Sequence, residues 1–455
     1  MYVEILSRIQ FGFSIGFHIL FPTLNIGLAL FLVIMEIMWL RSKNPLYLEI
    51  CKFWTKIFAL TFGMGVVSGI VLAYQIGTNF GPFISKFGNV LGALFAYETL
   101  TAFFLEAGFL GVMLFGWKKV PNWLHFLATL FVAIGTTISA FWIMSANSWM
   151  QTPSGYQLVE GKYVVDSWWA VVFNPSFLPR FIHMLFASYV TSCFVIMAVA
   201  GYHLLREKSV EISKKTITFT LFSALILVPL QIGIGDMVGL TINKHQPLKT
   251  AAMEGVWQTQ KGAPLLLFAI PSQSQQQNYY EIAIPKLASL INTHDLNGEM
   301  LGLNTVLPEE QPKVAAVFFS FRIMVGIGIL MLLTALTGLI LYLRDRLFSS
   351  QRFFRWCLFI SPLGFIASIA GWLTAELGRQ PWVVYNLLKT RDAVSAIGLE
   401  EVIISFTLLI LAYGVIFSFY LFYLFKFIKR GATLLEKETV EQHAFQYMTD
   451  LPKEN

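Results

Sequence analysis

VAAVFFSFRIMVGIGILMLLTALTGLILYL, residues 314–343, carries one formal charge, Arg322, in thirty positions. As a helix it would be about 45 Å long, more than the ~30 Å hydrocarbon core of a bilayer. Apolar and polar residues do not alternate along it, as they would in a membrane barrel strand. The stretch therefore predicts a membrane-spanning helix. Eight further runs have the same character: about 11–40, 54–77, 91–117, 123–149, 181–205, 217–240, 354–377 and 398–428. The expected fold class is all-α, a polytopic membrane helical bundle of about nine transmembrane helices. Composition agrees, since 56% of the 455 residues are hydrophobic and 13% charged, against about 25% charge in soluble domains. Disorder, a fibrous chain and an ordinary cytosolic enzyme are excluded. No basic segment precedes the first run, so it reads as a span rather than a removable signal peptide.

Lys and Arg in short loops orient such a chain. Arg41, Lys43, Lys52 and Lys56 follow the first run, Lys118 and Lys119 the third, and Arg206, Lys208, Lys214 and Lys215 the fifth. Arg344, Arg346, Arg352 and Arg355 follow the seventh, and Lys426, Lys429 and Arg430 close the ninth. All fall on one side, the expected cytoplasmic side, which leaves the N-terminus outside and the C-terminus inside. A net charge of +6 spread this way implies a lipid bilayer as partner and no nucleic acid. The expected organisation is transmembrane helices one to six in 1–240, a long outer loop in 241–313, helices seven to nine in 314–430 and a cytoplasmic tail in 431–455. The mixed apolar content of 241–313 predicts that it folds onto the outer face. Trp149, Trp168 and Trp169, around the shorter outer segment 150–180, suit the membrane interface. Cys51, Cys193 and Cys357 have neither disulfide nor zinc spacing, and the lack of a nucleotide fingerprint argues against an ATP-driven pump.

Polar groups inside spans are costly and point to function. His18, His183, Met324 and Glu376 all fall in the outer half of four different spans. A single buried histidine is more often a satisfied core side chain, and a single methionine is usually packing. Two histidines, a methionine and a carboxylate at one depth suit axial ligation of several haems. Arg322 and Arg379, at the same end, would then balance haem propionates; interfacial snorkelling is the alternative. Trp372, four residues before Glu376, suits packing between macrocycles or ordinary core packing. Glu98 and Glu106 stand eight residues apart, just over two turns, and share a helix face. His125, His203, His245, His294 and His443 read as structural or exposed.

These residues sit in runs that resemble subunit I of the cytochrome bd quinol oxidases: LSRIQFGFSIGFHILFP (6–22), FAYETLTAFFLEAGFLG (95–111), SAFWIMSANSWMQTP (139–153), FIHMLFASYVT (181–191), KTAAMEGVWQTQ (249–260), FFSFRIMVG (318–326) and GWLTAELGRQPW (371–382). The short outer loop suggests the family's short quinol-loop branch. The resemblance implies three haems. His183 and Met324 would ligate haem b558, and His18 and Glu376 one high-spin haem each, b595 and either d or a second high-spin haem b. It also implies that Lys249 and Glu254 bind quinol. Glu98, Glu106 and Ser139 would form a proton path, with Arg8 and Asn147 near the haem cluster. The implied activity is oxidation of quinol, menaquinol or ubiquinol, at the outer face and reduction of O2 to water with inner protons, without pumping. Expected partners are subunit II and a single-span accessory subunit, in a bacterial or archaeal cell membrane. The rival from another class is a secondary transporter coupling through Glu98 and Glu106. It predicts inverted repeats that the sequence lacks, and it leaves His183 and Met324 without a role.

Overall fold

The computed structural model describes residues 2–432; most of the expected tail, 433–455, lies outside the described residues. Among those described, nine helices are long and apolar enough to cross a membrane. They comprise α1 (Tyr2–Ser42), α2 (Pro45–Asn79), α3 with α4 (Gly81–Glu98 and Phe104–Phe115), α5 (Asn122–Gln151), α7 (Phe177–Leu205), α8 (Val210–His245), α11 (Val314–Leu343), α12 with α13 (Gln351–Ile360 and Leu363–Leu377) and α14 (Leu399–Arg430). Most extend beyond the apolar runs, because local capping rather than hydropathy sets their ends. Asn44, for example, accepts a hydrogen bond from the Leu46 amide at 3.0 Å, and Pro45 takes the first helical position, where its missing N–H costs nothing.

The third span is not a plain α-helix. Thr99–Phe103 form a π turn between α3 and α4, a feature often found at functional sites. It changes the phase of Glu98 and Glu106. Eight α-helical residues turn about 80° past two full turns. A π turn inserts one residue without advancing the rotation, leaving them about 20° short. The bulge aligns the two carboxylates better than spacing alone predicts.

α1 and α7 form the interior of the bundle, with α2, α5 and α8 around them. In a bilayer helices associate through close packing and polar contacts, so small residues mark crossings. A Cβ on Gly27 of α1 would lie 2.7 Å from the Ser188 carbonyl of α7, and Ser192 Oγ donates to the Leu24 carbonyl at 2.9 Å. Gly27→Ala is expected to cost about 1–3 kcal/mol by overpacking. The check is the thermal midpoint of the purified protein in detergent; a parental value would mean the crossing is looser than described.

Among the described residues strands occur only between spans, as four two-stranded antiparallel pairs. Residues 150–180 fold into β1 (Tyr156–Val159), β2 (Lys162–Val165) and the short helix α6 (Trp168–Val172). Trp168 and Trp169 are exposed, as an interface position requires, but Trp149 is fully buried and donates its indole N–H to the Ser154 carbonyl at 2.8 Å. The expectation for Trp149 is corrected: it pins the segment from inside. The long loop contains α9 (Pro247–Glu254), β3 (Gln260–Lys261), the β4–β5 hairpin (Leu265–Ser272, Gln277–Ile284), α10 (Leu287–Thr293) and β6 (Glu299–Met300). Ala251, Met253, Val256 and Trp257 pack with Val314 and Val317 of α11, so the loop has its own core seated on the bundle. After α13 a small hairpin, β7 (Trp382–Val384) and β8 (Leu388–Lys389), leads to α14.

Candidate functional site

Four helix ends meet at the end of the bundle that carries the loop: the C-termini of α5 and α13 and the N-termini of α7 and α11. Glu376, one residue from the end of α13, is the centre of a buried polar network. Its Oε1 accepts from Asn147 Nδ2 at 3.0 Å and from Gln151 Nε2 at 3.2 Å, and its Oε2 pairs with Arg379. Arg180 of α7 donates to Asn147 Oδ1 at 2.5 Å and Ser148 Oγ at 3.1 Å. Lys249 of α9 donates to Gln151 Oε1 at 2.6 Å. Three cationic side chains thus surround one carboxylate. Burial, with Arg180 and Arg379 nearby, pushes the Lys249 ammonium well below the ordinary lysine range, because desolvation and like charge both disfavour the charged form.

His18 lies on α1, sixteen residues from its start. Its Nδ1 is 2.8 Å from Ser68 Oγ of α2, and that hydroxyl already donates to the Met64 carbonyl at 2.7 Å. Ser68 is therefore the acceptor, so Nδ1 carries the proton and Nε2 keeps a lone pair, the tautomer a metal-binding imidazole needs. On α7, His183 Nδ1 is buried without a protein partner, and Nε2 is 3.4 Å from the Gln231 amide. A glycine faces each of three candidate ligands. A Cβ on Gly69 would lie 3.3 Å from His18 Cε1, on Gly235 3.4 Å from His183 Cε1, and on Gly371 2.7 Å from Met324 Sδ.

Among the described residues no three His, Cys, Asp or Glu side chains converge as a metal cage. A haem needs no cage, because the porphyrin supplies four nitrogens and the protein one or two axial ligands. The residues fit such a group. His18 and His183 offer ring nitrogens, and glycines clear space beside the ligands. Arg379, 4% exposed, has Nε and one terminal nitrogen unpartnered. Unpaired buried donors in a cation-rich cluster suit the carboxylate arms of a macrocycle. Trp372 is half-buried on α13, four residues before Glu376. Arg8 sits further out, 3.4 Å from Glu4, on a cavity of about 290 Å³ shared with Gln380 and Lys389.

Arg322 is turned toward the loop. Its Nε donates to the Leu266 carbonyl, one terminal nitrogen to the Met253 carbonyl and the other to Glu254 Oε2, each at 2.8 Å. Glu254 is 1% exposed and also accepts from Asn292 at 3.3 Å. A carboxylate buried that deeply needs a counter-ion, and Arg322 supplies it. Lys249 and Glu254 do not act as a pair. Five residues rotate a helix by about 140° past one turn, so Lys249 enters the Glu376 network while Glu254 enters that of Arg322.

Glu98 and Glu106 both face α5. Ser139 Oγ donates to Glu98 Oε1 at 2.7 Å, and a Cβ on Gly135 would lie 2.5 Å from Glu106 Cγ. Gly135 and Ser139 are one turn, about 6 Å, apart. The sequence gives no pairing signal for Gln151, Arg180 or Ser68, whose roles emerge only in three dimensions. Nor does it for Glu36, which lies 2.7 Å from His125 Nδ1 in a pair almost fully buried; that pair supports the structural role expected of His125.

Residues 6–432 match the family model of the cytochrome bd terminal oxidase subunit I. The chain is 35% identical to the cytochrome bd ubiquinol oxidase subunit 1 of Bacillus subtilis, over 94% of each chain. It is 30% identical to the cytochrome bd-II ubiquinol oxidase subunit 1 of Escherichia coli, over 96% of this chain and 98% of that one. The solved bd oxidase of Geobacillus thermodenitrificans superposes with a TM-score of 0.88 at 29% identity, covering 94% of this chain and 98% of that one. With helices, loop and buried polar cluster in the same chain as these matches, the protein belongs to the cytochrome bd terminal oxidase subunit I family.

Proposed function

We propose that this chain is the haem-bearing subunit of a respiratory terminal oxidase that oxidises quinol at the outer face and reduces O2 to water with protons from the cytoplasm. The observation that carries this function is the cation-rich cluster around Glu376, with unpaired Arg379 donors, at the same end of the bundle as His183 and Met324. His183 and Met324 would be the two axial ligands of haem b558. His18 and Glu376 would each hold one high-spin haem, b595 and either d or a second b-type haem. Arg379, Asn147, Arg8 and Trp372 would surround the haems. When bound, the haems supply one-electron transfer and the iron at which oxygen is reduced. Arg322 seats the loop against the helix of Met324. Subunit II is the expected partner, with a single-span accessory subunit, in a bacterial membrane. The basic loops orient the N-terminus outward. Charge separation then needs no pumping: electrons and protons reach the oxygen site from opposite sides.

Glu254 is the base for the outer step, because quinol oxidation must release protons and Glu254 is the loop carboxylate held beside the helix of Met324. Glu254→Gln keeps an acceptor for Arg322 but cannot take a proton. The expected result is quinol oxidation slowed by about 10²-fold or more, with haem content intact. Quinol-driven oxygen uptake by the purified complex is the check. Parental turnover at saturating quinol, together with parental apparent affinity, would remove Glu254 from the site.

A further inference from the structure

We propose that Gln151 is a positioning residue that ties the outer loop to Glu376, so that the seating of α9 sets how that carboxylate is presented. The proposal rests on the assignment of Glu376 as an iron ligand and Lys249 as part of the quinol site. Gln151 ends α5 and is 2% exposed. Its side chain faces two elements at once. Oε1 accepts from Lys249 Nζ at 2.6 Å, while Nε2 donates to Glu376 Oε1 at 3.2 Å and lies 3.5 Å from the Ala375 carbonyl. Its backbone carbonyl accepts from Gln246 Nε2 at 2.8 Å, so two residues at the start of the loop grip it. The stem of Lys249 is held close by Gly378, where a Cβ would lie 2.6 Å from Lys249 Cγ.

An amide suits this position because it carries an acceptor and a donor on one planar group. The partners fix its orientation: turned over, it would set donor against ammonium and acceptor against carboxylate. A carboxylate in its place would repel Glu376, and a lysine would repel Lys249. Both hydrogen bonds are desolvated, and the one to the Glu376 carboxylate is charge-assisted, hence among the stronger ones. Asn147, Gln151 and Arg379 together leave the Glu376 carboxylate little freedom to rotate. A quinol that draws Lys249 toward itself therefore pulls on Gln151, and through it on Glu376.

The test uses the purified oxidase with its partner subunit. Gln151→Glu keeps an acceptor for Lys249 and replaces the donor to Glu376 with a carboxylate that repels it. Gln151→Met is close in shape and loses both. The expected result for Gln151→Glu is a changed high-spin haem spectrum and carbon monoxide affinity with a near-parental KM for quinol. Gln151→Met should show the same haem change and a KM raised about tenfold. The low-spin band should be unaltered in both. Adding Lys249→Met to Gln151→Met should raise KM by less than the product of the two single effects, since the bond between the two side chains is removed twice. Parental high-spin spectra and parental KM in Gln151→Met, or KM effects that multiply, would overturn the proposal. If Gln151→Met fails to assemble, a parental high-spin spectrum in Gln151→Glu overturns it alone. Glu376→Gln separates the two assignments. An unchanged high-spin spectrum there defeats Glu376 as ligand, whereas a changed one beside parental Gln151 variants defeats only the bridge.

Discussion

Leucine in place of Met324 is expected to abolish the low-spin haem signal while the protein still assembles. The two side chains have nearly the same volume, and such swaps usually cost less than about 1.5 kcal/mol. Met324 is packed against Gly371, where even a Cβ would come within 2.7 Å of the sulfur, so the side chain has one place to go. What leucine lacks is a lone pair. A low-spin iron needs both axial positions filled, and on the proposed assignment His183 would supply one. Loss of the thioether should also lower the reduction potential, because His–Met ligation raises it. Arg322, two residues earlier, keeps its bonds to Leu266, Met253 and Glu254, so the loop should stay seated. The reduced-minus-oxidised spectrum decides: an unchanged low-spin b band would remove Met324 from the iron.

Glu106→Gln is expected to leave all haems in place and to slow oxygen reduction by about 10²–10⁴-fold, the range for loss of a positioned proton-transfer group. Glutamine keeps shape and polarity but cannot exchange a proton. Glu106 is 7% exposed, which suits a group that carries protons through apolar surroundings. The π turn at Thr99–Phe103 puts Glu98 on the same side, with Ser139 bonded to it at 2.7 Å. Ser139 and Gly135, one helical turn apart on α5, face the two acids, and a hydroxyl or water must carry the proton between them. Electron entry from quinol should be unaffected, so reduced haem should accumulate in the variant. Parental turnover with parental dependence on inside pH would show that protons enter elsewhere.

The spans were legible because a bilayer demands long uninterrupted apolar runs, as in 314–343, and nothing in the fold can disguise that demand. Their ends were less so: Asn44 and Pro45 start α2 nine residues ahead of its apolar run. The π turn was invisible, since TLTAF differs in no compositional way from its flanks. Candidate ligands were visible as polar residues at one depth, and the structure brings Glu376, Asn147 and Arg379 together. Arg180 and Gln151 were not visible, because such residues at span ends commonly only face the interface. The resemblance gives Lys249 and Glu254 one shared role, yet each side chain enters a different buried network, which sequence alone cannot reveal. Trp149 shows the same limit: an aromatic at a span end can face lipid or core, and tertiary packing decides.

The most direct test of the central claim is the haem content of the purified complex, by reduced-minus-oxidised spectrum and extraction. The expected result is three haems per copy of this chain, one low-spin b-type and two high-spin, with the bands of haem d present if it fills one high-spin site. A preparation that is folded, membrane-derived and free of haem bands would contradict the assignment of His18, His183, Met324 and Glu376 as ligands and the oxidase function built on them.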